Sequence, residues 1–239
     1  MRLPCAEVTT HNHFAIDRGG KVFNRTAPVI KLPPDRTIDD HIRLLGLLNS
    51  STACFWLRQV CHDKGGGGIG GGIAAETWER FFAFNGTKVS RFPLAASAPL
   101  AVARRIQALA DAQTEIAPAD VIRRWTVGAS ADPPPAFWPT LKRALEDASA
   151  TWHSNRRLMI ALQEELDWQC YKLYGLTADE LTYPLDQGPG IDLGERAFEI
   201  VLARQVAAGK TSTTWFERHG STPITEIPTH WPADYKALV

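Results

Sequence analysis

No run in the 239 residues comes near the ~18 consecutive apolar side chains that span a bilayer. The opening residues, MRLPCAEVTTHNHF, hold no apolar stretch of the kind that marks a secretory signal. Both absences predict a cytoplasmic protein with no membrane partner. The four cysteines, Cys5, Cys54, Cys61 and Cys170, form no C-x-x-C pair and fit no zinc-finger spacing. Cys54 and Cys61 stand seven apart on an expected helix, which reads as two small buried apolar side chains. His11, His13, Cys61 and His62 have no second ligand pair at metal spacing, so no metal site is assigned. Without secretion, the N-x-[ST] matches at Asn24, Asn49 and Asn85 carry no meaning.

Catalytic signatures are missing too. The chain has no G-x-S-x-G, no H-E-x-x-H and no recognisable Ser/His/Asp set. Glu164, Glu165 and Asp167 read as the solvated face of a helix. No catalytic residue is assigned.

What is present is the composition of a globular protein, 44% hydrophobic and 22% charged, long enough for one large domain or a few small ones. Net charge is zero, yet unevenly spread. Residues 1–97 hold 12 Lys/Arg against 8 Asp/Glu, and residues 98–239 hold 14 against 18. A basic first part beside an acidic second part points to a polyanionic partner for the first.

The order of apolar residues predicts mixed α+β. Residues 6–31 read as short strands (Val8 to Thr10, Phe14 to Ile16, Val22 to Phe23, Val29 to Leu32), with Asp17-Arg18-Gly19-Gly20 as a hairpin turn. Thr37 with Asp40 reads as the cap of a helical stretch that keeps Ile42, Leu45, Leu48, Phe55 and Leu57 largely buried, interrupted at Gly46 or at Asn49-Ser50-Ser51. An aromatic strand follows at Phe81, Phe82 and Phe84. From residue 98 the period becomes helical. Leu100, Val102, Ile106 and Leu109 mark one helix, and a longer one spans roughly 139–174. Together they predict an antiparallel helical hairpin joined through ADPPPAFWP. Thr177 to Glu180 reads as the cap of another short helix, and Glu195 to Ala208 as a further one stopped by Gly209. The tail ends inside a beginning helix, which predicts a chain cut short.

Seven of the eight residues from Gly65 to Gly72 are glycine. The run contains a formal G-x-G-x-x-G at Gly65, Gly67 and Gly70, but a helix is expected where a dinucleotide site needs a strand. So many glycines predict a mobile loop that orders against a partner. Asp132-Pro133-Pro134-Pro135 resembles the [DNS]-P-P-[YFW] tetrapeptide of enzymes that methylate amino groups on bases. Its stacking position is proline here, and the stretch reads as a spacer.

The remaining chemistry is a set of basic and polar residues on the loop-rich first part. Lys21, Arg25, Lys31, Arg58, Lys64, Lys88 and Arg91 offer phosphate contacts, with Asn85, Thr87 and the backbone of Gly66, Gly68 and Gly70 beside them. These are the candidate DNA-binding residues.

Five blocks carry a resemblance: THNHFAIDRGGKVFNRTAPVIKLP, LLGLLNSSTACFWLRQVCHDKGGGGIGGG, FAFNGTKVSRFPL, ALQEELDWQCYKLYGLT and TTWFERHGSTPITEIPTHWPADY. In this order they resemble the C-terminal portion of the large adenine-specific DNA methyltransferases of BREX phage-defence systems. Those are in turn similar to type IIG and Eco57I-like restriction–modification methylases. The resemblance implies a TaqI-like target-recognition β/α domain over 1–97, a helical hairpin or spacer over 98–176, and a small helical C-terminal segment over 177–239. It implies recognition of a double-stranded DNA site beside a separate catalytic domain that binds S-adenosylmethionine, flips an adenine and methylates it. Nothing in the chain matches that catalytic part, so no cofactor and no activity are expected of this chain alone. The alternative is an interaction module whose Trp152, Met159, Leu162 and Leu166 stripe docks a catalytic domain or another defence protein. A third possibility, an enzyme acting alone through an unrecognised site, has no motif behind it.

Overall fold

The structure is a computed structural model that describes residues 1–65, 76–126, 136–184, 186 and 188–239. Among the described residues, small sheets and helices alternate up to Ala83, and the elements that follow are helices. Gly66, Gly68, Gly70 and the Asp132-Pro133-Pro134-Pro135 spacer lie outside the described residues.

The N-terminal strands are shorter than their sequence suggests. β1 (Leu3–Pro4), β2 (Val8–Thr9) and β3 (Val29–Ile30) are two residues each. β1 pairs antiparallel with β3, Leu3 opposite Ile30. On its other side, single bridges join Arg2 to Asp17 and Cys5 to Phe14. The Gly19-Gly20 turn is present, with φ of 123° and 81° that only glycine adopts readily. It does not close the expected hairpin, however. Phe14 to Asp17 pair back to residues 2–5, and Val22 is 98% exposed. The reason is burial: Leu3, Cys5 and Phe14 reach the core, while Val22 offers no alternating apolar face.

Thr37 caps α1 (Ile38–Leu48) as expected, its hydroxyl accepting from the Asp40 amide while the Asp40 carboxylate accepts from the Thr37 amide. The break comes after Leu48. Ser50 caps α2 (Ser51–Val60), accepting from the Ala53 amide at 3.1 Å and donating to the Leu47 carbonyl. Because α2 starts afresh at Ser51, its buried face is set by Ala53 and Leu57, and Phe55, expected in the core, is 69% exposed. Gly46 stays helical. It is needed for close approach, since a Cβ there would lie 2.9 Å from that of Ala103.

After α2, β4 (His62–Gly65) and β2 flank the central β5 (Phe81–Ala83) in a three-stranded antiparallel sheet. α3 (Gly86–Val89) follows, capped by Asn85. α4 (Leu100–Glu115) and α6 (Phe137–Leu173) pack antiparallel, as Val102 meets Leu166 in one cluster and Gln113 donates to the Trp152 carbonyl. The short α5 (Pro118–Thr126), unexpected from sequence, lies against α6. The Trp152, Met159, Leu162 and Leu166 stripe divides: Leu162 and Leu166 are buried with Ile42 and Val102, and Trp152 is exposed. Core side chains thus cross residue 97 freely. Cys170 of α6 packs with Leu48, Phe84 and Phe92.

The C-terminal part holds α7 (Ala197–Ala207), α8 (Trp215–His219) and α9 (Ala233–Leu238), with Ile200 of α7 and Tyr235 of α9 buried in one cluster with Ile191 and Trp231. Thr177 to Glu180 form no helix. The Thr177 hydroxyl accepts from the Asp179 amide, and Glu180 accepts from Thr182, so local turn bonds consume the would-be cap. Among the described residues no helix is long and apolar enough to cross a membrane.

Candidate functional site

The expected DNA-binding residues fall into separate neighbourhoods. Lys31, Asn85, Thr87, Lys88 and Arg91 belong to one. Lys31 follows β3, whose Val29 and Ile30 line an apolar pocket of about 260 Å³ with Gly86, Val89 and Phe92. A second pocket of about 470 Å³ shares Leu44 and Leu94 with it and is edged by Arg36 and Arg43. Among the described residues, Lys31, Arg36, Arg43, Lys88 and Arg91 form no salt bridge, although Asp40 lies within electrostatic reach of Arg36 and Arg43. Several cations elsewhere are tied down, Arg104 by Asp39, Arg157 by Asp192, and Arg196 by Glu199, while Lys21, Arg25 and Lys64 also form no salt bridge among the described residues. The carboxamide of Asn85 is already used, accepting from the Lys88 amide at 3.0 Å.

The others are dispersed. Arg25 is exposed in a turn held by Asn24 and Thr26. Lys64 is exposed on β4. Arg58 lies over the Phe82 ring at 4.8 Å. Lys21 stands on a different feature altogether.

That feature is a cleft of about 810 Å³ between residues 11–21, the α1–α2 joint, α4, α6 and the start of α7. Its floor is polar. The Asp167 carboxylate accepts from the amide and hydroxyl of Ser51 at 2.6 and 2.7 Å. Gln163 donates to the Asn49 carbonyl at 3.2 Å. Glu164 faces the cleft without a hydrogen bond to any described residue, and burial, then the neighbouring Asp167, pushes its pKa up to about 7. Burial also raises Asp167, against the Ser51 donors. The rings of His11 and His13 meet edge to face at 4.1 Å on the opposite wall. Burial, then His13 and Arg58, lowers His11 to about 4, and burial lowers His13, which leaves both neutral at pH 7.

Sequence reasoning treated this region as ordinary surface, and the structure corrects it. Glu165 and Asp167 are buried, and Glu165 accepts from the Tyr183 amide at 2.8 Å. One signal was available: an acid-rich Glu164-Glu165-Leu166-Asp167 run cannot present every carboxylate to water when Leu162 and Leu166 face the core.

One wall is built by the C-terminal part. Glu199, fully buried, accepts from the Gly194 amide, both arms of the Arg196 guanidinium and the Trp215 indole. Burial would raise its pKa, yet these donors hold it below the ordinary value. Arg196 is thereby fixed over the Phe198 ring at 4.7 Å.

Comparison with known proteins decides the relationship. The chain is 46% identical over 241 aligned residues, 98% of its length, to the adenine-specific methyltransferase PglX of Streptomyces coelicolor. This chain is a relative of a portion of PglX. It spans only 19% of the length of that protein. Residues 159–239 also match a domain family of unknown function, DUF7008. That match begins within α6 and includes Glu164, Asp167, Arg196 and Glu199, so the PglX-related chain draws much of its cleft from this family. No solved structure matches it.

Proposed function

We propose that this chain is the DNA-recognition portion of a site-specific adenine-N6 DNA methyltransferase of a BREX-type phage-defence system. It works with a catalytic domain that binds S-adenosylmethionine. The observation that carries the reading is the 46% identity to a stretch of PglX over 98% of this chain. The five cations without salt bridges around the Leu44 and Leu94 pockets support it, because phosphate contacts need side chains that are not already neutralised. In this reading residues 1–97 form a TaqI-like target-recognition domain. Lys31, Lys88 and Arg91 fix the register of a duplex, and the catalytic domain flips the adenine.

The test is duplex binding by the full chain across a salt titration. Micromolar or tighter affinity with a steep salt dependence is expected. Replacing Lys31, Lys88 and Arg91 together by alanine lowers the slope of log K against log salt by about 0.9 for each phosphate that is no longer neutralised. A slope that stays put in the triple variant overturns the reading.

A second reading rests on the far end of the helical hairpin. Trp138 is 62% exposed, and Ile122 and Trp125 are exposed beside it. Trp125, Phe137 and Trp138 form a chain of edge-to-face contacts at 6.4 and 5.1 Å. Exposed aromatic patches of this kind dock proteins. Here they would hold the catalytic domain or another defence protein.

A further inference from the structure

Groups without partners converge on the cleft and on a compartment that adjoins it. Glu164 is the acceptor, facing the cleft with no hydrogen bond to any described residue. Lys21, at the mouth, forms no salt bridge among the described residues. The adjoining compartment, about 450 Å³, shares Met159, Gln163 and Arg196 with the cleft. It contributes Gln113 and Arg156, whose Oε1 and Nε atoms are buried with no hydrogen-bond partner. Buried polar atoms are rarely left so unless something else completes them. Flat surfaces stand beside the two arginines: Phe198 carries the Arg196 guanidinium at 4.7 Å, and Trp152 carries that of Arg156 at 5.2 Å.

The demands of these groups narrow the ligand. A simple anion suits Lys21 and Arg156 but is repelled by Glu164. A simple amine suits Glu164 and is repelled by the cations. An apolar ring alone leaves all of them unsatisfied. What remains is one molecule with an anionic end, a planar ring to stack and an amino group to donate. We propose that the cleft binds a nucleotide whose base carries an exocyclic amino group, with Glu164 accepting from that amine. The phosphate lies toward Lys21 or Arg156, and the base stacks on Phe198 or Trp152. The volume is within the range of small-molecule sites. The site is separate from the basic rim at Leu44 and Leu94 and does not depend on duplex recognition there.

The experiment compares AMP with IMP, which carries an oxo group in place of the 6-amine, by calorimetric titration of the full 239-residue chain at pH 8, where the Glu164 carboxylate is ionised. AMP binds roughly tenfold or more tightly than IMP, since a hydrogen bond to a charged group is worth that much. Glu164→Leu abolishes the difference, while Arg156→Met weakens both nucleotides alike. Glu164→Leu keeps the far-ultraviolet circular dichroism and the cooperative melting of the native chain, which shows that the variant is folded. A single-stranded oligo-dA much tighter than AMP identifies the occupant as a nucleic-acid strand, and equal affinity identifies a free nucleotide. Equal affinity for AMP and IMP, no saturation at millimolar concentration, or full AMP affinity in Glu164→Leu overturns the proposal.

Discussion

Asp167, deep in α6, accepts hydrogen bonds from both the amide and the hydroxyl of Ser51, the first residue of α2, across 116 positions of sequence. Ser50 caps the same helix from within its own segment. The two together satisfy orphan donors that a helix start leaves open. The Asp167 contact also locks the hairpin to the first part of the chain. Asp167→Ala should therefore cost about 2 kcal/mol, the value of hydrogen bonds to a charged acceptor less what water recovers at Ser51. Asp167→Asn, which keeps one acceptor, should cost less. Urea unfolding of the three proteins checks the order, and equal midpoints would remove Asp167 from any role in holding α2.

How much of this was legible in the sequence depended on range. Local chemistry was readable: the Thr37–Asp40 cap, the break at Asn49-Ser50, and Gly209 at φ 66° closing α7. The helices after residue 98 showed plainly because their apolar period is long. What failed was long-range pairing. Nothing near Val22 says that Phe14 to Asp17 will turn back to residues 2–5, since that choice is made by burial of Leu3 and Cys5. The cleft was unreadable for the same reason. Glu164 is ordinary on a helical wheel, and becomes unusual only when residues 11–21 and α7 close over it.

The acidity of Glu164 gives a pH test. Its folded pKa of about 7 lies above the ordinary 4.5, chiefly through burial. Below pH 4.5 both states are protonated and nothing is lost. Between 4.5 and 7 the unfolded chain releases the proton that the folded one keeps, so stability falls as pH rises. Asp167, Glu199 and Glu165 add to this and Arg196 opposes it. His11 and His13, held low, act in the other sense, their contribution growing as pH rises toward 6.5. Glu164→Gln should be more stable than the native chain by about 3 kcal/mol at pH 8 and nearly equal to it at pH 4. A constant difference across that range would mean that Glu164 titrates normally.

Gly46 tests the helix contact. Alanine there gains about 1 kcal/mol of helix propensity. Its methyl would sit 2.9 Å from the Ala103 Cβ and 3.4 Å from Leu166 Cδ1, and crowding of that kind costs about 1–3 kcal/mol. Net destabilisation is expected in thermal unfolding. Ala103→Gly on top of Gly46→Ala should recover part of it, because the two sites share one space. A Gly46→Ala chain that melts higher than the native one would show that α1 and α4 are not so closely pressed.

Glu199 is the largest single dependency. Five groups donate to its carboxylate: the Gly194 amide at 2.8 Å, the Arg196 amide at 3.3 Å, Arg196 Nε at 2.9 Å, an Arg196 terminal nitrogen at 2.8 Å and the Trp215 indole at 2.9 Å. Gly194 itself has φ 95° and leaves no room for a side chain against the Thr222 carbonyl. Removing the carboxylate strands a half-buried guanidinium and three other donors, so Glu199→Ala should cost about 3–5 kcal/mol. The damage should also be local. Hydrogen exchange is expected to accelerate over 194–220, which Glu199 ties together, before it rises in α4. Uniform acceleration along the chain would instead place Glu199 in a single cooperative core. A destabilisation below about 1 kcal/mol would show that water replaces the carboxylate at little cost, and that Arg196 keeps its place over Phe198 without it.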